Sequence, residues 1–200
     1  MALQLISPNQ WQTQAWKNGG GITHQLARSD DDIGMRWRVS IAEVTSDGAF
    51  SRFEQTDRII MLLQGRGFCL HGAEDQPLVL DKALLPFAFA GETAIDCTLI
   101  EGPVRDFNLM TRRVDVKASL QVLSVTEPLS LTLASESLLY LASGELQVSF
   151  KEQSYQLDAG QSLLCTDEVG ELQMKAGVEP CHLVWICIHQ RPLLQARQGA

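Results

Sequence analysis

IIMLLQGRGFCL, residues 59 to 70, is an apolar run that meets a turn at Gly65–Gly67 and resumes as a second apolar run. This is the pattern of an antiparallel hairpin, because glycine supplies the positive φ that a tight turn needs. LLYLASGELQVS, residues 138 to 149, repeats the pattern around Ser143–Glu145, with its turn glycine 79 residues further on. A Leu-Asp pair follows each hairpin, Leu80-Asp81 and Leu157-Asp158, at an offset of 77; a glycine then opens a late strand, Gly102 and Gly177, at an offset of 75. Any β-protein reuses hairpins, but an offset that drifts slowly across three landmarks is what a duplication with small deletions leaves behind. The join falls near Arg113–Ser119, which divides the chain into residues 1–115 and 116–200.

Period-two alternation runs outward from these hairpins. Trp37, Val39 and Ile41 point one way and Arg38, Ser40 and Ala42 the other. Leu129, Leu131 and Leu133 alternate with Ser130 and Thr132, and Leu146, Val148 and Phe150 with Gln147 and Ser149. Helical periodicity is scarce, so the expected class is all-β and antiparallel. Two similar halves of this size suit a pair of stacked barrels, since closing a sheet removes edges that would pair with other chains. The end from Gln190 to Ala200 reads as a frayed tail or a short docked helix.

The chain has 200 residues, 45% of them hydrophobic, which is enough to fill a core, and a net charge of −8 with a pI near 4.9. That charge opposes the cationic surface needed to displace counterions from nucleic acid or to lie on anionic lipid. Met1–Gln14 has no basic stretch leading into an apolar run, and no apolar stretch reaches spanning length. Cys69, Cys97, Cys165, Cys181 and Cys187 form an odd set without CxxC spacing, which fits small buried hydrophobes in a reducing compartment. A cytoplasmic protein without membrane or nucleic-acid partners is expected.

Metal-binding barrels of the cupin class place a glutamate seven residues before the hairpin glycine, with two histidines shortly upstream. Counting back from Gly65 puts Arg58 at the glutamate, and Ser51 with Phe53, or Arg52 with Glu54, at the histidines. A guanidinium there repels a divalent ion. The same count from Gly144 reaches Ser137. His24, His71, His182 and His189 do not repair the set: the last two are seven apart, so on one unbroken strand they face opposite sides. No metal and no cofactor are expected.

Three segments of the first half carry binding chemistry. WKNGGGIT, 16–23, sets Trp16, Asn18 and Thr23 around three glycines ending at Gly21, whose backbone can approach a ligand closely, or simply turn. FSRFEQTDR, 50–58, offers Phe50 and Phe53 as walls, Ser51 as a hydroxyl and Arg58 as a fork for a carboxylate, unless Arg58 is tied to Asp106 or Glu54 in a salt bridge. RDFNLMTRR, 105–113, places Asp106, Asn108 and Met110 on one face and Phe107 and Leu109 on the other. If the apolar face packs between barrels, the polar face lines a cavity; if it fills the barrel, Asp106 and Asn108 face water. Arg38 and Ser40 pose the same alternative. The second half has no such cluster; Tyr140, Phe150, Tyr155 and Trp185 are spread among Leu and Val. The first half is read as the binder and the second as its support.

These segments, with WRVSIAEV at 37–44, DGAFSRFEQTDR at 47–58, PFAFAGE at 86–92 and GPVRDFNLMTRR at 102–113, resemble the HutD/Ves family of bacterial proteins. The resemblance implies a bicupin of two RmlC-like jelly rolls, without the usual metal ligands and often dimeric. It also implies a regulatory role, some members being tied to histidine utilisation through an acid such as urocanate or a formylglutamate-like compound, and others to cold or stress response. His24-Gln25 stands where an Arg-Glu pair is common, which favours the Ves branch. The main expectation is a metal-independent sensor of a small carboxylic acid, bound by Arg58 or Arg38. Its competitors are an isomerase or hydrolase with Asp106 or Glu43 as general base, and a protein–protein regulator.

Overall fold

The computed structural model describes residues 3–191, so the expected tail from residue 192 onward lies outside the described residues. Those residues form nineteen strands and one short 3-10 turn, Pro8–Gln10. A six-stranded sheet runs Gln12–Ala15, Gly21–Asp31, Gly34–Val44, Val104–Arg112, Thr56–Gln64, Phe87–Ala90 from edge to edge. It faces a four-stranded sheet ordered Gly48–Ala49, Asp96–Leu99, Phe68–His71, Leu78–Leu80. The C-terminal half repeats the arrangement. Its five-stranded sheet runs Leu3–Ile6, Ser162–Thr166, Glu136–Ser143, Cys181–Gln190, Val116–Val125, and its four-stranded sheet Leu129–Leu133, Gly170–Ala176, Glu145–Phe150, Gln153–Asp158. All the pairings are antiparallel. The first strand crosses over: Leu3–Ile6 hydrogen-bonds to Ser162–Cys165, in the sheet of the second half. Among the described residues no helix is long and apolar enough to cross a membrane.

Three apolar layers hold these four sheets. Ile60, Leu62, Phe68, Leu70, Leu80 and Cys97 fill the space inside the first half. Leu139, Leu141, Val148, Phe150, Leu172 and Leu183 fill the second. Between the halves, Trp37, Val39, Ile41, Phe107 and Leu109 meet Leu138, Tyr140, Val184 and Ile186. Both faces of each large sheet are therefore buried, one in its own barrel and one against the other half. Side chains alternate across a strand, so committing Trp37, Val39 and Ile41 to the interface sends Arg38, Ser40 and Ala42 into the first barrel. The polar face of Val104–Arg112 goes the same way.

The two halves match in register. Gly65 and Gly144 both have positive φ, +105° and +81°, and a Cβ on either would sit 2.7 Å from a neighbouring segment, at Pro103 O and Cys181 Cβ. Only glycine fits both the dihedral and the approach. Arg58 pairs with Met110 on the central strand of its sheet, and Ser137, 79 residues later, pairs with Cys187. By the same alignment Trp185 and Leu183 take the registers of Asn108 and Asp106. The interior of the second barrel therefore carries an indole and a leucyl group where the first carries an amide and a carboxyl.

Candidate functional site

A cavity of about 510 Å³ opens inside the first barrel. Its lining includes Trp16, Asn18, Thr23, Arg38, Ser40, Phe50, Ser51, Phe53, Arg58, Asp106 and Asn108, so three segments distant in sequence converge on one hollow. Gly21 stands behind that wall. A Cβ there would meet Glu43 O at 2.5 Å and the Trp16 ring at 3.1 Å, so glycine lets the indole lie against the sheet. Trp16 is then held by its own Nε1, which donates to Thr23 Oγ1 at 2.8 Å. Asn18 Oδ1 accepts from Gly20 N at 3.1 Å and shapes the turn. The aromatic segment is pinned through backbone, Phe50 N to Ile95 O and Phe53 N to Gly91 O, both at 2.9 Å. Glu43 lies elsewhere: at the end of the interface-facing row, it meets Arg105 at 3.5 Å and His24 at 3.4 Å, so the alternative general base does not reach the cavity.

The floor of the hollow is a chain of polar groups. Arg58, 7% exposed, donates from Nε and Nη2 to Asn108 Oδ1 at 3.3 and 3.1 Å, and its Nη1 reaches Ser51 O at 3.4 Å. Asn108 in turn donates from Nδ2 to Asp106 Oδ1 at 3.1 Å. Its amide is thereby committed at both ends, which makes Asn108 a support for Arg58 more than a free partner for a ligand. The guanidinium of Arg58 also faces the rings of Phe89 at 4.8 Å, Phe50 at 5.5 Å and Phe53 at 5.7 Å. Arg38 lies 5.4 Å from the same Phe53 ring, donates Nη2 to Met110 Sδ at 3.0 Å, and leaves Nε buried without a partner.

Among the described residues neither Arg38 nor Arg58 forms an ion pair, whereas Arg28, Arg36, Arg66, Arg105, Arg112, Arg113 and Arg191 each do. The salt bridge from Arg58 to Asp106 or Glu54 that its position allowed is not made. Burial lowers the Arg58 guanidinium to about 10, with Asp106 opposing that shift and Arg38 adding to it. Burial also lowers Arg38, helped by Arg28. Asp106, 1% exposed, is pushed up to about 6 by burial, against the pull of Asn108 and Arg58. Arg38 and Arg58 thus share a confined space with one carboxyl whose ionisation is opposed by burial.

The sequence profile of the HutD family matches residues 9–182. The chain belongs to the HutD family. It is 40% identical over 152 residues, 74% of this chain and 77% of the relative, to an uncharacterised 21.2 kDa protein of the hutC 3′ region in Pseudomonas putida. It is 35% identical over 137 residues, 68% and 74% of the two chains, to the protein Ves of Cronobacter sakazakii. The solved structure of HutD from Pseudomonas fluorescens SBW25 superposes with a TM-score of 0.82 at 29% identity, covering 96% of this chain and all of that one. A cupin 2 conserved barrel domain protein from Leptotrichia buccalis matches with a TM-score of 0.61 at 8% identity, over 89% of this chain and 96% of that one, a likeness of fold alone. The architecture is that of a bicupin.

In this HutD-family chain the cavity also recruits residues that the sequence did not single out. Lys17, Gln14, Ala15, Ala42 and Ala49 line it, and Phe89 covers Arg58, while Met110, already placed on the polar face of its strand, holds Arg38. Lys17 and Phe89 stand inside the family segments WKNGGGIT and PFAFAGE, which was the available signal. Three of the four histidines are engaged away from the cavity, His24 on Thr13, His71 on Thr98 and His182 on Ser143. Among the described residues no three His, Cys, Asp or Glu side chains gather as a ligand set.

Proposed function

We propose that this chain is a metal-independent binding protein with a regulatory role, whose first barrel takes a small carboxylic acid of the urocanate or formylglutamate type. The observation that carries the reading is the pair of guanidiniums, Arg38 and Arg58, confined in one hollow without a carboxylate partner in a protein of net charge −8. Buried charge is costly unless paired, and an incoming carboxylate supplies the pair with a planar, bidentate match. Phe50, Phe53, Phe89 and Trp16 provide apolar walls, while Thr23 and Ser40 orient the ligand. A relative named for the hutC region, and a HutD structure described as the formate condition, are consistent with a small acid.

Calorimetric titration with formate, glutarate and urocanate tests this. At least one binds, and Arg58→Met weakens that binding by about 2–5 kcal/mol. Absence of heat from every acid, with the protein folded, overturns the reading. One observation favours a second reading: Asp106, held near 6, is poised as a general base beside two cations. Turnover of a bound acid that Asp106→Asn abolishes while binding persists would establish it.

A further inference from the structure

We propose that the pocket takes up its anion together with a proton, and that Asp106 is the group that receives it. This deepens the reading of the hollow as an anion site and rests on it. The geometry is a three-member relay: Arg58 donates twice to Asn108 Oδ1, and Asn108 donates Nδ2 to Asp106 Oδ1. Asp106 is 1% exposed and has no direct ion pair among the described residues, so water does little to solvate its charge. With the pocket free of anion, what favours the ionised carboxyl is the Asn108 hydrogen bond and the field of nearby Arg58. Arg58 lies on Thr56–Gln64 and Arg38 on Gly34–Val44, the strands on either side of the one that carries Asp106.

An acid seated on Arg58 changes both terms. Its negative charge neutralises the guanidinium that stabilised Asp106, and it adds a second anion to the same low-dielectric space. Two carboxylates that close cannot both stay ionised cheaply, and the guanidinium contact holds the ligand charged. The buried carboxyl is therefore the one that protonates. The other groups around Asp106 do not take this role. The Cys97 thiol on the facing sheet is pushed up to about 12, by burial first and then by Asp106, so it is already protonated and cannot accept another proton. Lys17, Arg38 and Arg58 are cations, which supply attraction for the ligand. Without ligand Asp106 titrates near 6, so at neutral pH most molecules carry an ionised carboxyl able to accept the proton.

Linkage fixes the direction: an anion that binds with proton uptake binds more weakly as pH rises, by up to about tenfold per pH unit between the free and the bound titration of Asp106. The test is titration with glutarate and formate at constant ionic strength, at pH 7, in buffers of widely different ionisation enthalpy. Wild-type protein should show a binding heat that varies with the buffer, corresponding to uptake approaching one proton, and a dissociation constant that rises from pH 6 to 8. Asp106→Asn should abolish both dependences. Because that variant replaces a buried group and can fail to fold, the 13C carboxyl resonance of Asp106 in wild-type protein serves as the second readout; saturating probe should move its titration to higher pH. Binding with no buffer dependence and an unmoved Asp106 resonance overturns the inference and leaves the anion site standing. Uptake that survives Asp106→Asn assigns the proton to another group and overturns it equally. Absence of binding by both probes overturns the inference, while the anion site itself falls only when urocanate also fails to bind.

Discussion

Arg58 is the residue on which the site turns, and its energetics differ between folding and binding. A buried guanidinium held by an amide, a backbone carbonyl and three aromatic faces, with no direct ion pair, is desolvated without full compensation. Arg58→Met, which keeps the stem and removes the charge, should therefore weaken acid binding by about 2–5 kcal/mol while leaving the denaturation midpoint unchanged or raised; urea melts and calorimetry on one preparation check both. The opposite division holds at Gly21. Alanine there forces a Cβ to 2.5 Å from Glu43 O, so Gly21→Ala should cost about 1–3 kcal/mol of stability and disturb Trp16, visible as a shift in tryptophan emission. At this scale the sequence was informative, because a cationic side chain before the hairpin turn and a glycine run beside an aromatic are unusual choices for a barrel wall. It placed Asn108 on the polar face of its strand as a candidate ligand contact, but could not show its bonds to Arg58 and Asp106, which join residues fifty and two positions away.

The element that does most to place the site is the strand Gly34–Val44. Its odd-numbered side chains from Trp37 to Ile41 are buried between the halves and its even-numbered ones, Arg38 and Ser40, line the hollow. Trp37 is 1% exposed, its Nε1 donates to Glu136 Oε1 at 3.0 Å, and Arg36 grips the same carboxylate through two nitrogens at 3.0 and 3.1 Å. Trp37→Ala should destabilise the protein by about 3–5 kcal/mol in chemical denaturation. It should also weaken acid binding, since Arg38 is the next residue along. Alternation in WRVSIAEV was legible as a two-faced strand. Which face met the other half was not, because the pattern Trp-x-Val-x-Ile fits either a barrel interior or an interface.

For the whole molecule, pH divides the carboxylates into two groups. Asp31, beside Arg112, and Glu92, beside Arg113, are each held down at about 2, from ordinary values of 3.8 and 4.5, chiefly by those hydrogen bonds. Their contribution to stability is present above the unfolded values and lost as pH falls through the folded ones. Asp106, raised to about 6, behaves in the opposite sense: its contribution is complete below 3.8 and disappears as pH rises through 6. Thermal stability should therefore peak between about pH 4 and 5 and fall on both sides, and Asp106→Asn should flatten the alkaline limb alone; melting temperatures from pH 3 to 8 decide it. At this scale the all-β, antiparallel class was legible in the sequence, and so was the clustering of polar and aromatic candidates in the first half, because side-chain alternation and turn glycines are local properties. The folded chain was needed to show that Leu3–Ile6 joins the second half, that the apolar faces of the large sheets seal against each other, and that Arg58 reaches Asn108 instead of Asp106. Those outcomes depend on which surfaces meet across tens of residues, and no local pattern records the partner.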